Sequence, residues 1–359
     1  MTETQTFVDV LAAKYPPFYC PFEPSGIHPC AEALERATIA WADRVRLCGD
    51  DAHRSRRYAL TGTMMCALYY PDAPEDRVQS MANYSAWSFL LDDVTETAPV
   101  GQRTRDLADL VARLVRISEA PRSGLLGDDA LGTCLADAVS GIRRWADPPQ
   151  MRRFVEGFRT WMFGFLWEAS TRERGARLTL NDYLVLRYGS VGATNAAAMA
   201  AMLANDHGDD LPARELDSPA VLAATEACLM AGALDNERYS QAKAALEQEQ
   251  QTNIFEVIRN QNPGMSFDDA IVDAIALRDR ILSLYLRLRE QMWPHASHGL
   301  RRYLRYLEHS FNGNITFGEK AARYRTPHTT PIARSVTPSD PSTEPLPLSS
   351  IAWWWDQLD

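Results

Sequence analysis

Ten stretches of this chain place apolar residues three to four positions apart, and helix breakers separate them. The stretches run from Glu32 to Cys48, Arg56 to Tyr70, Glu75 to Thr95, Arg103 to Glu119 and Asp129 to Ala146. They continue from Gln150 to Arg172, Leu180 to Asn205, Ala220 to Gln250, Phe267 to Met292 and Gly299 to Asn312. That spacing lines one face of an α-helix. The interruptions include Asp72-Ala73-Pro74, Ala120-Pro121, Asp147-Pro148-Pro149, Gly208 to Pro212 and Asn262-Pro263-Gly264. Alternating patterns that would suit a strand are scarce. The expectation is an all-α domain, a bundle of about ten or eleven helices joined by short loops.

The flanks differ from this middle. Residues 1–30 carry prolines at 16, 17, 21, 24 and 29 and read as an irregular N-terminal segment. Residues 31–325 form the helical domain. Residues 326–359 are rich in Pro, Ser and Thr until Trp353-Trp354-Trp355, and composition predicts a mobile tail. The three tryptophans read better as a segment folded back on its own domain than as a partner site.

A formal net charge of −10 argues against nucleic acid as a partner. No run of about 18 apolar residues occurs, so no membrane span is expected. Residues 1–14 carry acids and no apolar core, unlike a signal peptide. The six cysteines are scattered without C-x-x-C spacing, which fits reduced, mostly buried thiols in a cytoplasmic protein.

One apolar helix ends in carboxylates: Phe89-Leu90-Leu91-Asp92-Asp93-Val94-Thr95-Glu96. Asp92 and Glu96 share a helical face, and Asp93 lies about 100° around. Adjacent acids on apolar surroundings need a cation or a hydrogen-bond network to compensate them. Hard oxygen donors on a rigid helix suit Mg²⁺, which fills its shell with water and substrate phosphate. Other acid pairs, at Asp50-Asp51, Asp128-Asp129, Asp209-Asp210 and Asp268-Asp269, sit beside breakers and read as loops or helix caps.

A second oxygen-rich element follows at Asn236-Glu237-Arg238-Tyr239-Ser240, with Lys243 near the same face. Read alone, it suits an ordinary amphipathic helix. A third is Phe311-Asn312-Gly313-Asn314-Ile315-Thr316-Phe317, then Arg323-Tyr324. A guanidinium and a phenol can both donate to phosphate oxygens.

In this order the elements resemble the class I terpene synthases (terpene cyclases) of the bacterial type. That family carries D-D-x-x-D/E, then N-D-x-x-S-x-x-x-E, then an Arg-Tyr pair after G-N-x-x-W/F. The segment Tyr183 to Gly192 looks like the family's diphosphate-sensing arginine, here Arg187, with the helix break behind it. His28-Pro29 and the stretch around Trp41 are also similar. The chain departs at Ala244, where the family has an acid, and at Glu237, where it has Asp. Either Glu247 reaches the same ion from further along, or water completes that shell.

The resemblance implies a single domain around a central apolar cavity and three Mg²⁺ ions on the diphosphate of a linear polyprenyl substrate. Asp92, Asp93 and Glu96 would serve one side of the ion cluster, and Asn236, Ser240 and Glu247 the other. Arg187, Lys243, Arg323 and Tyr324 would donate to the diphosphate. Ser85, Ser88, Phe89, Trp161, Phe165, Ser190, Val191, Gly192 and Phe317 would line the cavity, with carbonyls at the helix break turned inward. Small side chains at 85, 88 and 190 favour geranylgeranyl diphosphate over farnesyl diphosphate. Family habit also implies a homodimer. A chain-elongating prenyl transferase would need a second D-D-x-x-D, and Asp268-Asp269…Asp273 has the wrong spacing. A silent helical interaction protein is the remaining rival, motivated by Ala244.

Overall fold

Most helices begin where a short polar side chain folds back onto the first turn and satisfies an otherwise orphaned N–H. Asp51 accepts from Arg54 N at 2.9 Å, Asp129 from Leu131 N at 2.8 Å, and Ser297 from Leu300 N at 3.1 Å. Asp147 and Gln150 cap each other reciprocally ahead of Pro148-Pro149. The computed structural model describes residues 15–96, 103–205, 210–247, 253–324 and 332–359; the side chains of Glu96, Arg103 and 241–247 lie outside that description. Among the described residues the architecture is all-α apart from one pair of two-residue strands.

The chain divides into two compact units. Unit 2 comprises Ser25–Gly175 and Gly189–Asp206. It contains α1 (Ala31–Arg44), α2 (Ala52–Tyr69), α3 (Glu75–Glu96), α4 (Arg103–Glu119), α5 (Ala130–Ile142) and α6 (Pro148–Glu173). Helix α7 (Leu180–Ser190) spans the boundary, which falls between Tyr188 and Gly189. Helix α8 (Ala193–Ala204) returns to unit 2 and packs on α6. Helix α3 is held between α2 and α5, with α1 also against it. Gly62 on α2 permits the closest approach, since a Cβ there would stand 2.4 Å from Ala86 N of α3. The core centres on Tyr58, Tyr84, Trp87, Phe154 and Phe158, all essentially inaccessible to solvent.

Unit 1 comprises Met1–Pro24, Ala176–Tyr188 and His207–Asp359. Its helices are α9 (Ala213–Leu216), α10 (Pro219–Glu247), α11 (Ile254–Gln261), α12 (Phe267–Met292) and α13 (His298–Lys320). Helix α10 lies against both α12 and α13. At their centre the buried Arg278 guanidinium donates to Asp235, to Asp279 Oδ1 at 2.9 Å and to the Tyr19 carbonyl at 2.6 Å. Burial pushes the Asp235 carboxyl up, and Arg278 pulls it back.

Two local readings of the sequence need correction. The helix expected to end at Asn312 continues to Lys320. Asn312 and Asn314 spend their amides on tertiary contacts, donating to Glu23 O and Gly232 O at 2.9 Å each, so neither breaks the helix. Helix α11 was not legible as a helix. The helical stretch from Leu180 to Asn205 is two helices, interrupted at Val191-Gly192 where the helix break was expected.

The C-terminal segment also differs from the mobile tail that its composition suggests. Residues 326–331 lie outside the described residues, but from Ile332 onward the chain is packed on unit 1. Strand β2 (Arg334–Ser335) pairs in parallel with β1 (Phe18–Tyr19), Phe18 opposite Arg334. Ser339 donates to Asp279 from both N and Oγ at 2.7 Å, and Ser350 N donates to Asn181 Oδ1 at 2.9 Å. Trp354 is 2% exposed, and its Nε1 donates to Glu226 Oε2 at 2.7 Å. A buried tryptophan contributes a large apolar area toward the cost of ordering this segment, alongside its hydrogen bonds. The tryptophans thus fold back on their own chain, as the sequence reading favoured.

Burial raises the Glu226 carboxyl above its usual range, and the Trp354 hydrogen bond only partly reverses this. A folded-state value above the unfolded one means that this group stabilises the fold most at low pH. The contribution is lost as pH rises through the folded value. Glu226→Gln keeps the oxygen acceptor and removes the charge. It should raise the melting temperature at pH 8 relative to wild type and leave it unchanged near pH 4; equal shifts at both pH values would contradict this.

Candidate functional site

In unit 2 the site is built on α3. Ser85, Ser88, Phe89 and Asp92 recur at three- to four-residue spacing and occupy one side of the helix. Tyr84 and Trp87 face elsewhere, into an aromatic array with α6. Ser85 is 1% exposed, and its Oγ lies 3.3 Å from Cys66 Sγ. Ser88 Oγ donates to the Ser85 carbonyl at 2.8 Å. Their hydroxyls are therefore partly satisfied within the protein, which leaves compact surfaces beside half-buried Phe89.

Asp93 is held from α2. Tyr58 OH donates to Asp93 Oδ2 at 2.6 Å, Arg57 Nη2 lies 3.5 Å from the same oxygen, and Arg54 Nε donates to Tyr58 OH at 3.1 Å. Burial and the Asp93 carboxylate both push the Tyr58 phenol up, so it stays a proton donor. Asp93 is thereby tied to α2, one turn after turn along that helix. Asp92 is half-buried beside it, and the Glu96 side chain lies outside the described residues. Sequence reasoning missed Tyr58 and Arg57, because a partner 35 positions away leaves no spacing signal.

The helix break lies against α6 because two glycines let it. A Cβ at Gly164 would stand 2.4 Å from Ser190 N, and one at Gly157 would stand 2.7 Å from Thr194 O. Gly192 has φ +75°, a left-handed conformation that costs other residues about 1 kcal/mol or more. Trp161 Nε1 donates to the Ser190 carbonyl at 3.0 Å. That carbonyl, expected to turn inward, therefore already carries one hydrogen bond, and Trp161 closes the break as well as offering a ring face. Trp161 sits 5.2 Å from Phe165, 6.0 Å from Phe158 and 6.5 Å from Trp87, centroid to centroid. Val191 and Gly192 are half-buried.

Unit 1 brings together three residues far apart in sequence. Arg187 Nη2 donates to Asn236 Oδ1 at 3.1 Å, and Asn236 Nδ2 donates to Tyr324 OH at 3.0 Å. Phe317 meets Tyr324 edge-on at 6.0 Å, and Tyr239 lies 6.1 Å from it on another side. The phenol is thus aimed by two aromatic neighbours. Gly318 makes room, since a Cβ there would stand 2.2 Å from the Tyr239 ring. Ser240 is half-buried one turn beyond Asn236, and its Oγ donates weakly to the Glu237 carbonyl at 3.4 Å. Arg323 is half-buried. The side chains of Lys243, Ala244 and Glu247 lie outside the described residues.

One residue dismissed as a departure proves central to this cluster. Glu237 Oε1 lies 2.6 Å from Arg187 Nε, an ion pair whose N–H direction falls outside hydrogen-bond geometry. Its other oxygen accepts from Ile254 N at 3.0 Å.

Among the described residues, no three or more His, Cys, Asp or Glu side chains gather to hold a metal. Mg²⁺ does not require such a cage, because one or two protein oxygens plus substrate phosphate and water complete its octahedron. Asp92, Asn236 and Ser240 are all hard oxygen donors on rigid helices, and they suit that ion chemically. A void of only about 10 Å³ in unit 1, bordered by Leu234, Asp235, Arg238 and Arg278, belongs to the buried ion cluster and not to these donors. No described helix is long and apolar enough to cross a membrane.

Similarity to known proteins identifies the family. Residues 83–282 match the sequence model of the family described as "Terpene synthase family 2, C-terminal metal binding". Spiroviolene synthase of Streptomyces violens is 30% identical over 351 residues, covering 95% of this chain and 96% of that protein. Diterpene cyclase DtcycB of a Streptomyces species is 32% identical over 344 residues, again covering 95% and 96%. The crystal structure of the SVS_A2 protein, from ancestral sequence reconstruction, superposes with a TM-score of 0.83 at 34% identity. It covers 95% of this chain and 98% of that one. Helical architecture, motif order and these likenesses converge, and the chain belongs to the metal-binding class I terpene synthases of the bacterial type.

Proposed function

We propose that this terpene cyclase is a diterpene synthase, which ionises geranylgeranyl diphosphate and closes the resulting allylic cation into a ring system. The observation that carries this reading is the convergence of Arg187, Asn236 and Tyr324 from three separate segments. A guanidinium and a phenol gathered beside the Asn236 amide place two donors for a phosphate oxyanion next to one hard oxygen donor for a metal.

In this reading Asp92 with Glu96 would supply one set of Mg²⁺ ligands and Asn236 with Ser240 a second, for three ions in all. Glu247 or water completes that second shell, since Ala244 offers no ligand. Bound Mg²⁺ neutralises the diphosphate and makes it a better leaving group. Arg187, Arg323, Tyr324 and Lys243 donate to its oxygens as charge builds on them. The carbon–oxygen bond breaks heterolytically, its electron pair leaves with diphosphate, and an allylic cation remains. A substrate double bond attacks that cation, and loss of a proton ends the sequence. Trp161, Phe165 and Phe317 present π-faces, each stabilising a desolvated cation by up to about 2 kcal/mol.

Two features support the twenty-carbon substrate. The side chains at Ser85, Ser88 and Ser190 are small, and a relative at 32% identity is named a diterpene cyclase. The test is incubation of the purified protein with Mg²⁺ and geranyl, farnesyl or geranylgeranyl diphosphate, with products read by mass spectrometry. A cyclic C20 hydrocarbon formed faster than any C15 product is expected. Turnover of farnesyl diphosphate alone would overturn the chain length and keep the chemistry; a lengthened diphosphate would overturn both.

A further inference from the structure

Glu237 is 3% exposed, so its carboxylate must be compensated where it stands. Two groups do this from separate parts of unit 1. Arg187 Nε lies 2.6 Å from one oxygen, and the backbone N–H of Ile254 donates to the other at 3.0 Å. Ile254 opens α11, where the first N–H groups lack helical partners and a negative charge is favourable. The carboxylate is therefore anchored by a helix terminus on one side and bears on a guanidinium with the other.

That guanidinium is planar and rigid, so a carboxylate that holds its Nε end by charge restricts where its Nη edge lies. The Nη edge is the one that meets Asn236 Oδ1 at 3.1 Å. We infer that Glu237 is a positioning residue: its charge sets the plane of Arg187, so that the Nη edge meets the diphosphate beside Asn236. This rests on the reading of Arg187 as a diphosphate-binding residue. The family's usual residue after the asparagine is Asp, one methylene shorter, and in this chain the longer Glu spans Arg187 and Ile254 at once.

A bland alternative is that Glu237 only caps α11. Glu237→Gln separates the two roles, because the amide oxygen still accepts from Ile254 N–H while the charge on Arg187 is gone. The measurements use the full-length protein with Mg²⁺: calorimetric affinity for inorganic diphosphate, and amide hydrogen exchange across residues 254–258. The expected result is an affinity about tenfold weaker, the difference between a charge-assisted and a neutral contact, with exchange unchanged. Affinity within about twofold of wild type would assign Glu237 to capping alone and overturn the inference. Tighter binding would make it a competitor for Arg187, and faster exchange alongside weaker binding would trace the effect to the cap; both overturn it. If wild type itself binds no diphosphate, the proposed function fails together with the inference. Wild-type binding with an unaffected variant sinks the Glu237 role alone.

Discussion

Asp92→Ala should lower turnover of the prenyl diphosphate by at least about 10²–10³-fold, the cost of removing one preorganised charge partner from a developing oxyanion site. The expectation is specific to Asp92. Its neighbour Asp93 already serves as a strut, held by Tyr58 at 2.6 Å and Arg57 at 3.5 Å. Asp93→Asn keeps an oxygen for Tyr58 and should therefore lose far less activity than Asp92→Ala. Diphosphate release measured under saturating substrate, with circular dichroism to confirm unchanged helix content, checks both variants. Equal losses would show that the two acids act as one ligand pair, and an active Asp92→Ala variant would remove that residue from the metal site.

The second large effect concerns stability. Arg278→Met should destabilise unit 1 by about 3–5 kcal/mol, because it leaves Asp235 and Asp279 buried without their shared counter-charge. Both carboxylates are 1% exposed, so water cannot substitute for the guanidinium. The loss should extend to the Tyr19 carbonyl, which Arg278 also holds, and through Asp279 to Ser339 of the C-terminal segment. Urea unfolding read by tryptophan fluorescence measures the change. A midpoint indistinguishable from wild type would mean that the cluster relaxes or hydrates on substitution. Because Asp235 directly precedes Asn236, partial loss of diphosphate affinity should accompany the instability.

Local signals were legible in the sequence where local physics decides. Asp51, Asp129 and Asp147 stand at breakers and cap the helices that follow, as acids at such boundaries should. The break near Ser190 was legible because Gly189 and Gly192 weaken a continuous helix, and the second of these adopts positive φ. Nonlocal contacts were not legible. The tail looked mobile because Pro, Ser and Thr dominate it, yet the pairing of Arg334 with Phe18 and the seat of Trp354 on Glu226 are tertiary facts without a periodic trace. The helix was expected to end at Asn312, but Asn312 and Asn314 bond to Glu23 and Gly232 and carry α13 onward. The motif residues Arg187, Asn236 and Tyr324 were found by their order along the chain. Glu237 was set aside as a mismatch because nothing in spacing links it to a residue 50 positions earlier.

The central claim is that oxygen donors around Asp92 and around Asn236 grip one diphosphate through shared divalent ions. A crystal structure of the protein grown with Mg²⁺ and inorganic diphosphate tests it most directly. We expect octahedral ions coordinated by Asp92 on one side and by Asn236 and Ser240 on the other, bridged by diphosphate oxygens that also meet Arg187 and Tyr324. Diphosphate bound with no ion touching either Asp92 or Asn236 would contradict it.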